Sequence, residues 1–116
     1  MLFLQYPPCS TCKKAKAWLD AHGISYEERH IKEQNPSYEE LKAWYERSGL
    51  ELKKFFNTSG LLYKEMHLKE KLPTMSEEEK LHLLASDGML VKRPLIVLED
   101  KVLVGFRQPE WENTLL

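Results

Sequence analysis

Apolar residues stand in short unbroken runs near both ends of the chain, a pattern typical of buried strands. Residues 1–6 (Met-Leu-Phe-Leu-Gln-Tyr) predict the first strand, and residues 25–31 predict a second. Residues 95–99 (Leu-Ile-Val-Leu-Glu) give the clearest strand, and a tight Asp-Lys turn leads from it into another over residues 102–104. The chain therefore predicts four strands, of which the last two form a hairpin.

Between the first two strands the apolar residues change to helical spacing. The pattern predicts a helix over residues 13–22, closed by Gly23. Its periodic positions are Ala15, Trp18, Leu19 and His22. A strand, a helix and a second strand of these lengths make a βαβ unit at the start of the chain.

Helical signals also fill the chain between the second and third strands. A capping box, Ser37-x-x-Glu40, starts a helix that ends at Gly49. The inward positions of this helix are Tyr38, Leu41, Trp44, Tyr45 and Ser48. Further helical segments are predicted over residues 53–56, 61–68 and 76–85, with breaks at Asn57-Thr58-Ser59-Gly60, Pro73 and Asp87-Gly88. Pro109 starts a last helix over residues 110–116.

These elements predict one α/β domain over residues 1–116, with a small mixed sheet and flanking helices. Residues 1–34 and 87–116 would form its core, and residues 35–86 a helical subdomain inserted into that core. The chain is 42% hydrophobic, which is enough for a single core at this length.

Charge and composition exclude several classes of partner. The 17 basic and 18 acidic residues nearly balance, so no strong field recruits nucleic acid or an anionic membrane. No apolar run approaches the ~18 residues of a membrane span, and no signal-peptide pattern is visible. Two cysteines in such a chain indicate the cytosol, where a Cys-x-x-Cys pair is reduced by default.

The candidate chemistry lies in Cys9-Ser10-Thr11-Cys12, between a Pro-Pro break and a run of helix formers. A thiol at a helix N-terminus meets unpaired N–H groups and the positive end of the dipole. Both favour the thiolate, so we expect the cysteine pKa to fall from about 8.5 into the ~3.5–7.5 range. Cys9 is predicted to be the exposed nucleophile, and Cys12, one turn further on, its disulfide partner. Nearby Lys13 and Lys14 add positive charge.

Other interpretations of the two cysteines are weaker. A zinc site would need a second cysteine pair or histidines at ligand spacing, and the sequence has neither, so no metal is expected. The four histidines are His22, His30, His67 and His82. Two unrelated buried cysteines remain an alternative, and a structural disulfide would constrain only a very short loop. A redox pair beside a βαβ unit predicts a thioredoxin-like fold.

Arg93-Pro94, directly before the third strand, is the second candidate site segment. We predict a cis bond there, which would turn the backbone toward the dithiol, whereas a trans proline would merely start the strand. Arg93 would then lie near Cys9, and Arg107 would approach from the end of the next strand. Two guanidiniums would lower the pKa of the thiol and form a fork for an oxyanion or carboxylate, although each alone is a common surface residue. The predicted substrate-binding residues are Ser10, Thr11, Asn57 and Pro94.

Three segments resemble the arsenate reductase (ArsC)/Spx family: Cys-Ser-Thr-Cys-Lys-Lys-Ala-Lys-Ala-Trp-Leu, Lys-Arg-Pro-Leu-Ile and Val-Gly-Phe-Arg. The resemblance covers essentially the whole chain, and residues 50–72 and 85–94 look most like the family's small uncharacterised bacterial members. It implies a thioredoxin-like sheet with an inserted helical subdomain, in agreement with the residue pattern.

The arsenate reductase branch implies that the cysteine matching Cys9 attacks arsenate while three arginines hold the oxyanion. Arg93 and Arg107 match two of them, but residues 57–60, where the third would fall, contain no arginine. No bound cofactor is implied, and glutathione, glutaredoxin or a thioredoxin-like donor would supply electrons. Members of this branch commonly lack the second cysteine, which is Cys12 here.

The Spx branch carries a Cys-x-x-Cys pair and implies a redox-switched transcription regulator that binds the C-terminal domain of the RNA polymerase α subunit. The matching glycine would be Gly49, and Arg47, Lys53 and Lys54 would supply a binding face unless they are simply solvated. We therefore favour a cytosolic thiol–disulfide oxidoreductase. A Spx-like regulator and a glutathione- or glutaredoxin-linked arsenate reductase are the alternatives.

Overall fold

A single four-stranded mixed sheet forms the centre of the computed structural model, which describes residues 1–116. The strands are β1 Leu2–Gln5, β2 Glu27–His30, β3 Leu95–Val97 and β4 Val102–Val104. Their order in the sheet is β2-β1-β3-β4, with β1 parallel to β2 and β3 antiparallel to both of its neighbours. The predicted α/β class and the C-terminal hairpin are thus confirmed.

Six helices surround this sheet. They are α1 Ser10–Ala21, α2 Tyr38–Ser48, α3 Leu61–Glu65, α4 Leu68–Lys71, α5 Glu77–Ser86 and α6 Gln108–Leu115, with 3₁₀ turns at Leu52–Phe55, Leu72–Thr74 and Gly88–Leu90. Helices α2 to α5 all lie between β2 and β3 in the chain. None of the helices combines the length and apolar character needed to span a bilayer.

Apolar side chains cover both faces of the sheet, because successive residues of a strand point to opposite sides. On one face, Phe3 and Ile96 pack with Trp18 of α1 and Trp111 of α6. On the other, Leu4 and the neighbouring strand residues pack against the α2–α5 segment in a larger cluster. This two-sided burial explains why residues 2–4 of β1 and all of β3 are apolar.

Helix α1 begins at Ser10, three residues before the predicted start, because Cys9 itself caps it. The Cys9 sulfur accepts a hydrogen bond from the N–H of Cys12 at 3.5 Å. The buried side chains of the helix are Cys12, Ala15, Trp18 and Leu19. His22, predicted on the same stripe, lies beyond the last helical residue and is exposed, with its Nδ1 2.8 Å from the Trp18 carbonyl.

Helices α2 and α5 begin at the predicted capping boxes. The hydroxyls of Ser37 and Ser76 each accept from the N–H three residues later, and the Glu side chain there accepts from the cap N–H.

The helix predicted over residues 61–68 is interrupted at His67, whose φ is 55°. Residues five apart on one helix point about 140° apart. The break lets both Tyr63 and Leu68 be buried.

The remaining element boundaries differ by at most two residues from the predictions. β2 covers Glu27–His30 rather than residues 25–31, and it is an edge strand that pairs only with β1. Helix α6 starts at Gln108, which places Pro109 inside its first turn, where the missing N–H costs nothing.

Candidate functional site

The end of β1 delivers Cys9 to the N-terminus of α1. After the Pro-Pro break, the N–H of Cys9 donates to the Tyr6 carbonyl at 2.9 Å, and the Cys9 carbonyl accepts from the N–H of Lys13 at 3.0 Å. The residue is extended, with φ −74° and ψ 124°, and its side chain is partly exposed. The thiol is therefore held at the helix entrance with a path to solvent.

The surroundings of Cys9 lower its pKa. Partial burial by itself would raise the pKa, but N–H groups of Cys12 and Thr11 hydrogen-bond the sulfur, and the Arg93 guanidinium adds positive charge. These contacts outweigh burial, so the thiolate is favoured. The predicted direction of the shift at Cys9 is thus reproduced.

Cys12 has the opposite environment. Its side chain is fully buried beneath the helix entrance. Burial raises the pKa of Cys12 to about 12, and the hydrogen bond and negative charge of the Cys9 side chain act in the same direction. Cys9 is therefore the more accessible and more acidic of the two thiols.

Arg93 is held against the site by uncharged groups. Its guanidinium lies 5.2 Å from the centre of the Tyr6 ring, and Nη1 donates to the Met89 carbonyl at 3.3 Å. With the Asn57 amide turned so that its oxygen faces the guanidinium, that oxygen accepts from Nη1 and Nη2 at 3.2 and 3.3 Å. No carboxylate lies within 4.0 Å of Arg93, which leaves its charge available to the thiolate and to a ligand.

A cleft of about 400 Å³ opens in front of Cys9 and is called the cysteine cleft below. Of the residues predicted for the site, it is lined by Cys9, Thr11, Asn57, Arg93 and Arg107. The other three stand outside it: Ser10 is exposed, and Cys12 and Pro94 are buried. The Arg93–Pro94 bond is cis, as predicted.

Six further residues of the cleft were not predicted as site residues. They are Ser59, Gly60, Lys92, Val104, Gly105 and Phe106. Lys92 directly precedes Arg93 in the Lys-Arg-Pro segment. Its position beside a predicted site arginine could have identified it as a further residue of the site. At Gly60, a Cβ would lie 2.6 Å from the end of the Asn57 side-chain amide, so glycine leaves room for that amide.

Arg107 lines the same cleft as Cys9 but is not among the groups that lower the Cys9 pKa. Its side chain is 77% exposed, and Nη1 lies 4.0 Å from a carboxylate oxygen of Glu110. Arg107 is the residue preceding α6, so a glutamate three positions later is its natural neighbour. Arg93 alone supplies the arginine charge that lowers the Cys9 pKa. Arg107 lines the outer part of the cleft, where a ligand rather than the sulfur would meet it.

No three histidine, cysteine, aspartate or glutamate side chains are grouped to hold a metal ion. The cleft offers a thiolate, cationic side chains and backbone N–H groups, but no cluster of oxygen or nitrogen ligands. Its chemistry is that of a nucleophilic sulfur facing an anionic reactant.

Comparison with known proteins adds a family and several relatives. The sequence profile of the ArsC family matches residues 4–114. The uncharacterized protein YusI of Bacillus subtilis is 62% identical over 97% of this chain and 96% of its own. The regulatory protein MgsR of Bacillus subtilis is 32% identical, over 95% of this chain and 86% of its own. The global transcriptional regulator Spx of Enterococcus faecalis is 30% identical, over 90% of this chain and 77% of its own.

Solved structures show the same architecture. An ArsC family related protein from Bacteroides fragilis superposes with a TM-score of 0.94 at 62% identity, over 97% of this chain and 94% of the other. An arsenate reductase from Vibrio cholerae superposes with a TM-score of 0.84 at 29% identity, over 99% and 96%. The thioredoxin-like fold of the chain is thereby confirmed.

Proposed function

The chain belongs to the ArsC family, and from this membership together with the geometry of its cysteines we propose that it is a thiol–disulfide oxidoreductase of the reducing cytosol. The observation that carries the proposal is the contrast within one pair. Cys9 is accessible with a lowered pKa, and Cys12 is buried with a raised one. A dithiol mechanism needs this difference, because one thiolate attacks the substrate first and the second thiol reacts only with the mixed disulfide that results.

In the first step the Cys9 thiolate attacks one sulfur of a substrate disulfide. A Cys9–substrate disulfide forms, the substrate's own sulfur–sulfur bond breaks, and the leaving thiolate carries away the electron pair and takes up a proton. Arg93 and Arg107 hold the anionic part of the substrate in the cleft. Thr11 and Asn57 also line the cleft, the exposed Ser10 lies between Cys9 and Thr11 in the chain, and Pro94 shapes the backbone after Arg93.

In the second step Cys12 attacks the Cys9 sulfur. Its pKa is raised partly by the Cys9 side chain, and that contribution disappears once Cys9 is bonded to substrate. Cys12 then gives up its proton more readily, forms the Cys9–Cys12 disulfide and releases the second substrate thiol. The substrate has gained two electrons and the dithiol has lost them. An external electron donor then reduces the disulfide back to the dithiol. This donor would be glutathione, glutaredoxin or a thioredoxin-like protein.

Turnover with a small disulfide in excess reduced glutathione tests this function. The wild type should reduce many equivalents, whereas Cys12→Ser should accumulate a mixed disulfide at Cys9 that intact-mass spectrometry detects. Cys9→Ser is the matched control and should form no adduct. A wild type that reacts once and then stops, or a Cys12→Ser variant without adduct, would refute an enzymatic dithiol.

A regulatory function is the second candidate, supported by the similarity to MgsR and Spx. It would use the same disulfide to switch binding to the C-terminal domain of the RNA polymerase α subunit. Gly49 closes α2 with φ 68°, and Lys53 and Lys54 are exposed nearby. Arg47 is less available, since its Nη1 donates to the Leu98 carbonyl at 2.8 Å. Titration of that domain with reduced and oxidised protein separates a switch from an enzyme.

Arsenate reduction has weaker support. The similarity to the Vibrio cholerae arsenate reductase favours it, but the cleft wall formed by Asn57, Ser59 and Gly60 carries no arginine. One missing charge-assisted hydrogen bond, worth about 1.5–3 kcal/mol, would weaken oxyanion binding about ten- to a hundred-fold.

A further inference from the structure

A second cavity, of about 520 Å³, adjoins the cysteine cleft. Both cavities are lined by Lys92, Val104 and Arg107, so they lie side by side along these side chains. The two together are called the basic groove below. The cysteine cleft alone falls within the range of about 300–1,000 Å³ found for small-molecule sites. The second cavity therefore gives room beyond what a small disulfide requires.

Positive charge is concentrated along this groove. Its lining contains five cationic side chains and two carboxylates, whereas the whole chain has a net charge of −1. The cations are Lys53, Lys54, Lys92, Arg93 and Arg107. Only Arg107 has a carboxylate within 4.0 Å. Four cations thus lack an internal counter-charge, and the nearly neutral composition hides a strongly basic face.

The fold holds these cations in place. Lys53 and Lys54 stand on the exposed side of the 3₁₀ turn Leu52–Phe55, whose terminal residues are buried and anchor it. The N–H of Lys92 donates to the Phe55 carbonyl at 2.7 Å, which joins the turn to the segment before β3. The Lys92 side chain then passes Gly105, where a Cβ would lie 3.3 Å from its Cε.

An extended anionic chain fits this arrangement. Lys92 lies where the cavities meet, so a ligand reaching from Cys9 to Lys53 and Lys54 would pass it. Leu50, 40% exposed, lines the second cavity and offers an apolar contact beside the lysines. Two adjoining cavities with spaced cations and one exposed leucine suit a polypeptide better than a compact ion.

We propose that the basic groove binds an acidic segment of a partner protein whose cysteine disulfide is the substrate of Cys9, an inference that rests on the proposed function. The partner's aspartates or glutamates lie over Lys53, Lys54 and Lys92, and its cysteine lies in the cleft. The Cys9 sulfur bonds to that cysteine as the partner's disulfide breaks, and the leaving sulfur takes the electron pair and a proton. Cys12 then completes the two-electron reduction as above.

Peptide disulfides of equal length test this assignment. One peptide carries Asp and Glu beside its cysteine, one carries Ser and Gln, and one carries Lys, each in mixed disulfide with the same thiol chromophore. The reduced wild type should react with the acidic peptide about ten-fold faster than with the neutral one, and slowest with the basic one. The preference should shrink in high salt, which screens the charges.

Charge-reversed variants locate the effect. The double variant Lys53→Glu/Lys54→Glu should lose most of the acidic preference and keep the wild-type rate with the neutral peptide. Lys42→Glu/Lys101→Glu, with the same net charge and both changes at exposed positions outside the groove, should keep the preference. Glutathione disulfide, a small carboxylate-bearing substrate, should react alike with the wild type and both variants.

These measurements distinguish a failure of the proposed function from a failure of the acidic-segment assignment. If the neutral peptide disulfide reacts no faster with the reduced wild type than with free cysteine, the proposed function itself is wrong. If it reacts rapidly but the acidic peptide has no advantage, or if both double variants lose the advantage equally, the acidic-segment assignment is overturned. Equal slowing of glutathione disulfide and the acidic peptide in Lys53→Glu/Lys54→Glu would also overturn it, because the groove would then serve a small anion.

Discussion

Replacing Cys9 by serine should abolish the rapid alkylation of the protein by iodoacetamide at pH 6, whereas Cys12→Ser should leave it intact. The thiolate is the reacting species, and hydrogen bonds from α1 and the charge of Arg93 lower the pKa of Cys9. Burial raises the pKa of Cys12 to about 12, so this thiol stays protonated at pH 6. The reactivity at this pH therefore comes from Cys9 alone.

The pH dependence gives the same test more detail. Because the pKa of Cys9 is lowered, its thiolate persists as the pH falls below about 8.5, where an ordinary cysteine becomes protonated. Alkylation of Cys12→Ser, followed from pH 4 to 9, should have its midpoint below that value. Unfolded protein should label at both positions with an ordinary midpoint. Equal loss of labelling in both variants, or a midpoint at 8.5 or above, would contradict the assignment of the two roles.

Gly88→Ala should destabilise the protein by about 2–4 kcal/mol, measured as the free energy of unfolding in urea. A Cβ at this position would collide with the backbone carbonyl oxygen of Ile31. Neither group is a flexible side chain, so the backbone would have to shift. The contact lies where the helical segment leaves the sheet and returns to it, next to the hydrogen bond from the Asn35 amide to the Ala85 carbonyl at 2.7 Å.

Gly23→Ala is the matched control for this prediction. Gly23 has a φ of +64°, and a Cβ there would meet nothing within 4 Å. Its substitution should cost only the left-handed backbone strain, about 1–2 kcal/mol. A Gly88→Ala variant as stable as the wild type, or less affected than Gly23→Ala, would show that the two segments are not in direct backbone contact.

The strands and main helices could be predicted because their patterns are local. The apolar run of β1, the hairpin of β3 and β4, and the capping boxes of α2 and α5 depend on neighbouring residues only. The break at His67 could not be predicted in this way. It depends on Tyr63 and Leu68 reaching the same core, which is a property of the tertiary packing.

The same distinction holds at the site. The position of Cys9 followed from the Pro-Pro break and the helix formers after it, and its low pKa from general properties of helix N-termini. The contact of Asn57 with Arg93 joins residues 36 positions apart and has no local signature. The proximity of Glu110 to Arg107 had no local signal either, because it depends on α6 beginning at Gln108. The basic groove was missed because total charge does not reveal how charge is distributed.

The central claim is that Cys9 and Cys12 form one reversible dithiol–disulfide couple. It is tested most directly by equilibrating the purified wild type with mixtures of reduced and oxidised dithiothreitol, alkylating the free thiols and measuring the intact mass. Both thiols should disappear together in a single two-electron transition, leaving a monomer with a Cys9–Cys12 disulfide that reverses on reduction. Stepwise loss of one thiol, a disulfide-linked dimer, or two thiols that stay alkylatable at every ratio would contradict it.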